Sequence, residues 1–266
     1  MKRLIRWSTR IAAALVTGSL ALTVNTGAVA SAKTSTTETV SLHVLPVGPC
    51  ASVFGAGGPS TGPAWEPTKL AAAMPDASAG KLEFYSVGTE RFLGTLETLL
   101  GPRGWSCGQL TGADGAAEMA VYPPGSANPF SLEAPSEPAP GEQLVEASFD
   151  YTGHIPGIDR ACPYFPSVAS ASGAPCPSTV PTGEKVTRLT ADVVAITDPP
   201  AVKGSLAGSG GRRSVTGLMI VPEGSNLPDS VGVAKISCSL RAASLCSTIL
   251  SDFVVRQFPI PTYPPA

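Results

Sequence analysis

Charge is scarce in this chain: Asp, Glu, Lys and Arg make up 14% of it, against about a quarter in an ordinary globular domain. Histidine is scarcer still, with only His43 and His154. A metal centre or a histidine-based catalyst has few groups to draw on. No CxxC pair occurs, so the cysteines spell neither a zinc knuckle nor a dithiol redox motif. The glycine runs at 55–58 and 208–211 lack the lysine and the strand-loop-helix setting of a phosphate-binding loop.

Long apolar runs are missing as well. Ile11 to Val24 is shorter than the about 20 residues a spanning helix needs. Lys2, Arg3, Arg6 and Arg10 precede it, and two small-x-small sites follow, Ala28-Val29-Ala30 and Ala30-Ser31-Ala32. That order reads as a signal peptide over 1–32. The expectation is a secreted, extracellular chain that begins near Ser31 or Lys33, with no membrane partner after cleavage. The leader holds four of the 18 Lys+Arg and none of the 20 Asp+Glu, which leaves 14 cations against 20 acids. Arg212-Arg213 is the only adjacent basic pair after the leader. Neutralising phosphates takes clustered cations, so nucleic acid is not an expected partner.

What the chain has in quantity is turn formers, 28 Gly and 27 Pro. Each is about a tenth of the residues, where ordinary usage is about 7% and 5%. Strands are read over 40–47, 82–87, 95–100, 105–110, 117–122, 144–151, 185–197, 215–221 and 231–238. The runs around Trp105 and Tyr122 form a hairpin that turns at Asp114-Gly115. A helix is read over 66–74, stopped by Pro75. A second starts near Ser244, where Leu245, Ile249, Phe253 and Val254 recur at helical spacing. The organisation predicted is a flexible spacer at 33–39, an N-terminal half at 40–122, a Pro-rich connector at 123–142, a C-terminal half at 143–258 and a proline-rich tail at 259–266. The fold class is α+β: mainly antiparallel β strands, one or two short helices and long disulfide-stapled loops.

All six cysteines, Cys50, Cys107, Cys162, Cys176, Cys238 and Cys246, follow the leader. An even number in an exported chain points to disulfides, and six cysteines allow 15 pairings. Closeness in sequence favours Cys162–Cys176 and Cys238–Cys246, which leaves Cys50–Cys107. One helix through 238 and 246 would hold the last pair about 12 Å apart, beyond the roughly 7 Å that a disulfide spans. Cys238 should therefore end a strand and Cys246 should sit early in a helix. No metal or other cofactor is expected.

The segment GPRGWSC, Gly101–Cys107, with GADGAAEMAVYPPG after it at 112–125, resembles secreted proteins of high-GC Gram-positive bacteria. So do Cys162-Pro163-Tyr164-Phe165-Pro166, Asp198-Pro199-Pro200, the GSGG at 208–211 and the closing Cys238…Cys246 pair. That family has no assigned function. The resemblance implies export and disulfides, and brings no catalytic residue.

Two function classes remain. His154, near Asp150 and Asp159, belongs to a hydrolase if a serine joins it, but the acid, base and nucleophile groups do not converge in a recognised motif. Glu133, Glu137, Glu142 and Glu146 are the paired carboxylates a glycosidase would use, but they sit in or beside the Pro-rich connector, where charge serves solvation. His43, on an alternating strand, is expected to point outward. Trp105 is expected to be mostly buried against the Cys50–Cys107 bridge rather than to stack on a sugar. The favoured expectation is a non-catalytic extracellular binding module for a protein or cell-wall ligand, not an enzyme. Its candidate binding loop carries Tyr164, Phe165 and Pro166, pre-organised by the Cys162–Cys176 crosslink. The alternative is an extracellular hydrolase.

Overall fold

The computed structural model describes residues 39–54, 68–86, 98–112, 116–131, 143–151, 159–168, 176, 178–206, 211–221 and 232–257. The strands are β1 (Val40–Pro49), β2 (Ala51–Phe54), β3 (Lys69–Pro75), β4 (Leu82–Ser86), β5 (Thr98–Pro102), β6 (Ser106–Thr111), β7 (Ala117–Tyr122), β8 (Val145–Tyr151), β9 (Lys185–Arg188), β10 (Val193–Asp198), β11 (Val215–Ile220) and β12 (Gly232–Cys238). The helices are α1 (Asp76–Ala79), two short turns α2 (159–161) and α3 (166–168), and α4 (Ala243–Gln257). The chain is an α+β protein of mainly antiparallel sheets with three disulfides.

Among the described residues the strands form two sheets. The smaller has the order β3-β1-β4-β5 and the larger β2-β6-β7-β8-β12-β11-β10-β9. Only β1–β4 and β2–β6 pair in parallel. The 123–142 connector does not separate a pair of folding units, because β7 and β8 on either side of it are hydrogen-bonded neighbours. At Cys50 the chain passes from β1 in the small sheet to β2 in the large one. There the Cys50–Cys107 disulfide and the bond from the Cys50 amide to the Ser86 carbonyl (2.8 Å) fix the corner.

Both faces of the large sheet are covered over β10–β12, as alternation along the strands requires. Ala234, Ile236 and Cys238 of β12 and Leu218 and Ile220 of β11 join Leu82, Phe84, Leu99 and Leu100 of the small sheet in the main core. Helix α4 packs on β11 and β12 and also on β3 and β5, with Cys246, Ile249 and Phe253 buried. On the other face Val194, Ile196, Met219 and Val233 pack under Ala161, Tyr164, Phe165 and Val168. Burying a large apolar side chain contributes roughly 1.5–3 kcal/mol.

Two expectations change. Lys69–Pro75 is a strand, not the helix read over 66–74, and residues 66 and 67 lie outside the described ones. Alanine favours a helix, but Ala72 and Met74 go inward and Ala71 and Ala73 outward while the segment pairs with β1. The single run at 185–197 is two strands, because the chain reverses where the Leu189 and Thr190 amides both meet the Val193 carbonyl. The three disulfides join the expected partners, with Cys238 at the end of β12 and Cys246 in the first turns of α4.

Candidate functional site

The crosslinked loop does not offer its aromatic rings to a partner. Tyr164 is 5% exposed and Phe165 is fully buried. Arg188 lies over the Phe165 ring at 5.1 Å and also bonds the Tyr164 carbonyl. The expectation of a binding loop at Tyr164, Phe165 and Pro166 is therefore corrected, because rings this size are worth more against the uncovered sheet than in water. Pro166 alone of the three is exposed.

The Gly101–Cys107 stretch is structural in a different way. Gly104 takes a positive φ of 74° that lets β5 turn into β6. The Gly104 amide reaches Glu83 Oε1 at 2.7 Å, and the Trp105 amide donates to the Tyr85 hydroxyl at 2.9 Å. Burial, and then Glu83, push the Tyr85 hydroxyl well above the usual range. Trp105 packs against the main core but is half-buried, less enclosed than expected. The Asp114-Gly115 turn lies outside the described residues.

His154, Glu133, Glu137 and Glu142 also lie outside them. Asp150 is buried and sits 3.8 Å from Arg160, which bonds Glu118 at 3.0 Å. The register sets Glu118 of β7, Ser148 of β8 and Lys235 of β12 in one row across the sheet, with Glu146 and Asp150 two residues either side of Ser148. Burial raises the Glu146 carboxyl above its ordinary value; Glu118 adds to this, while Lys235 and Arg160 oppose it. Arg160 thus ties the α2 segment to two strands.

A Ser, a His and an Asp do meet, at a place the sequence did not suggest. Ser41 donates to Asp76 Oδ1, and His43 Nε2 lies 2.9 Å from the same oxygen and 3.1 Å from Ser41 Oγ. In a catalytic relay the carboxylate holds Nδ1 while Nε2 faces the serine. Here serine and carboxylate crowd one nitrogen, so the group is a pin between β1 and α1 and not a relay. The Ser41 and His43 hydrogen bonds hold Asp76 below its usual range. His43 is partly enclosed and not outward, because it alternates with the outward residues of β1.

Those outward residues make the most conspicuous surface. Val40, Leu42 and Val44 are 60%, 73% and 65% exposed. Their cross-strand partners are Pro75, Ala73 and Ala71, and Pro46 faces Lys69. One face of the β1–β3 ribbon thus carries seven apolar residues and a single cation. The opposite face supplies Leu45, Ala72 and Met74 to the core.

The chain matches no protein-family model, no curated protein and no solved structure.

The ribbon face is half legible in the sequence. The alternation of Val40, Leu42 and Val44 reads as a strand, but which face it buries is decided by β3, whose own residues read as a helix. One nucleophile-type spelling also exists: Gly58-Pro59-Ser60-Thr61-Gly62 fits Gly-x-Ser-x-Gly. It lies outside the described residues.

Proposed function

We propose that this chain is an exported, disulfide-stapled binding protein without a catalytic role, and that the β1–β3 ribbon face is its contact surface. The leader-type N-terminus and the three disulfides support export. One observation carries the binding reading: an exposed two-stranded face on which Lys69 is the only charged side chain. Contiguous apolar surface of this kind marks interaction sites. The face has no aromatic ring to stack on a sugar and almost no hydrogen-bonding side chain, so its partner is the apolar surface of another protein rather than a cell-wall glycan. Eight residues are fewer than the about 20–30 a side of a standard interface, which suits a transient complex.

The test immobilises the purified protein and passes culture medium over it. Wild type retains a protein that Leu42→Asp, with an unchanged thermal melt, releases. Equal retention by both removes the ribbon from the reading. Hydrolysis of ester, peptide or glycoside substrates by wild type, abolished by Ser60→Ala or Glu146→Gln, replaces the binding protein with the hydrolase.

A further inference from the structure

The two-stranded ribbon has an edge as well as a face. The Val47 amide bonds the Thr68 carbonyl at 3.2 Å, which continues the β1–β3 register by one residue. In an antiparallel ladder alternate residues turn both backbone groups to the same neighbour. Ser41, His43 and Leu45 therefore bond β3, and Val40, Leu42 and Val44 turn their amides and carbonyls the other way. On that side β4 pairs only with Val47, Gly48 and Pro49. Carried back along the parallel register, Leu82, where β4 begins, comes level with Leu45. Among the described residues nothing bonds the backbone of Val40, Leu42 or Val44. The window at 40–44 is thus an open strand edge, and these three side chains are exposed.

Natural edges are blunted by charge, proline or a covering group. β9, at the end of the large sheet, carries Lys185 and Arg188. The outer edge of β3 has the exposed Lys69, the Ala71 carbonyl occupied by Arg256, and Pro75, which has no amide. β1 has no charged residue along its length, and its first proline, Pro46, lies beyond the window.

We propose that a second copy of this chain pairs with this window, β1 antiparallel to β1 about a twofold axis at Leu42. An open edge is completed by another extended strand, and β1 itself supplies one with matching groups. Centred on Leu42, the pairing sets Leu42 against the partner's Leu42 and Val40 against the partner's Val44, and each such pair exchanges two hydrogen bonds. A centre further along β1 drives the incoming strand into β4, and one further back sets Val44 against residue 38, outside the strand. No like charges meet: valine and leucine lie together on the outer face, and Ser41 lies against the partner's His43 on the inner one. The contact is isologous, and it joins the two ribbons into one four-stranded sheet, β3-β1-β1-β3, with an apolar outer face twice as wide. The window is short, so the dimer is weak and depends on concentration. The pairing uses the edge and leaves the face free, so it does not depend on the reading above.

Sedimentation equilibrium of the purified protein over a concentration series tests it. Wild type should pass from one copy to two. Val44→Pro removes an amide that β3 does not use. This variant should keep the wild-type melt and stay single where wild type is half paired. Leu42→Asp and Leu42→Lys each set like charges together at the axis and should also stay single, while an equal mixture of the two should recover the dimer. Wild type that stays single at every concentration overturns the proposal. So does a dimer that Val44→Pro leaves unchanged, which would place the contact on the face. If Val44→Pro does not fold, the charge pair decides, and a mixture that stays single overturns the proposal.

Discussion

The indole of Trp105 leans on the main core without being enclosed by it, and the neighbouring backbone explains why it stays there. Its amide is held by the Tyr85 hydroxyl, and two residues on Cys107 is bonded to Cys50. The ring is thus positioned by covalent and hydrogen-bonded neighbours rather than by its own burial. Trp105→Ala should therefore destabilise by no more than the lower end of the about 3–5 kcal/mol measured for buried Trp. A thermal melt checks it. An unchanged melt would show that the ring contributes nothing to the fold and would make it a contact residue.

At the scale of elements, one arginine adds polar contacts to the apolar packing of helix α4 on the small sheet. Arg256 Nε bonds Asp252 Oδ2 at 2.8 Å, its Nη2 reaches the Ala71 carbonyl of β3 at 2.7 Å, and its guanidinium lies 4.1 Å over the Phe84 ring. Burial raises the Asp252 carboxyl, and Arg256 opposes this by its hydrogen bond and its charge. Arg256→Ala leaves a buried acid without that partner, a change that costs about 3–5 kcal/mol in fully buried pairs and less here, where the arginine is partly exposed. Asp252 then rises further, so the loss should be larger at neutral than at acid pH. Melts of Arg256→Ala at the two pH values check the sign, and an equal loss at both would place the stabilisation in packing alone. None of this is legible in the sequence, where Arg256 is the last charge before a proline-rich tail. What is legible is local: the alternation of β1, the proline stop after β7, the geometric demand that Cys238 and Cys246 lie on different elements. What is not legible depends on distant partners. Leu70 to Met74 alternates only once β1 lies beside it, and Tyr164 and Phe165 look like a loop until the sheet beneath them is in place.

At the scale of the whole molecule, most of the shifted groups among the described residues are raised. Burial raises Glu146, Asp252, Tyr122, Tyr85 and Tyr164, whereas Asp76 and Glu184 are lowered. A group raised in the folded state stabilises fully below its unfolded value, and that stabilisation is lost as pH rises through the folded value. The carboxyls Glu146 and Asp252 therefore favour the fold in mild acid and withdraw that support towards neutrality. The tyrosines withdraw theirs only on the alkaline side. Lowered carboxyls act in the opposite sense, but Asp76 is exposed and contributes little. The melting temperature should thus fall from mildly acid to alkaline pH. Glu146→Gln isolates one contributor. Glutamine keeps the size of the side chain and places no charge beside Glu118, so the variant should match wild type in mild acid and melt higher at neutral pH. Melts across that range decide it: parallel wild-type and variant curves would mean that Glu146 titrates in the folded protein as it does in the unfolded chain, and that the charged row on β7, β8 and β12 is fully hydrated.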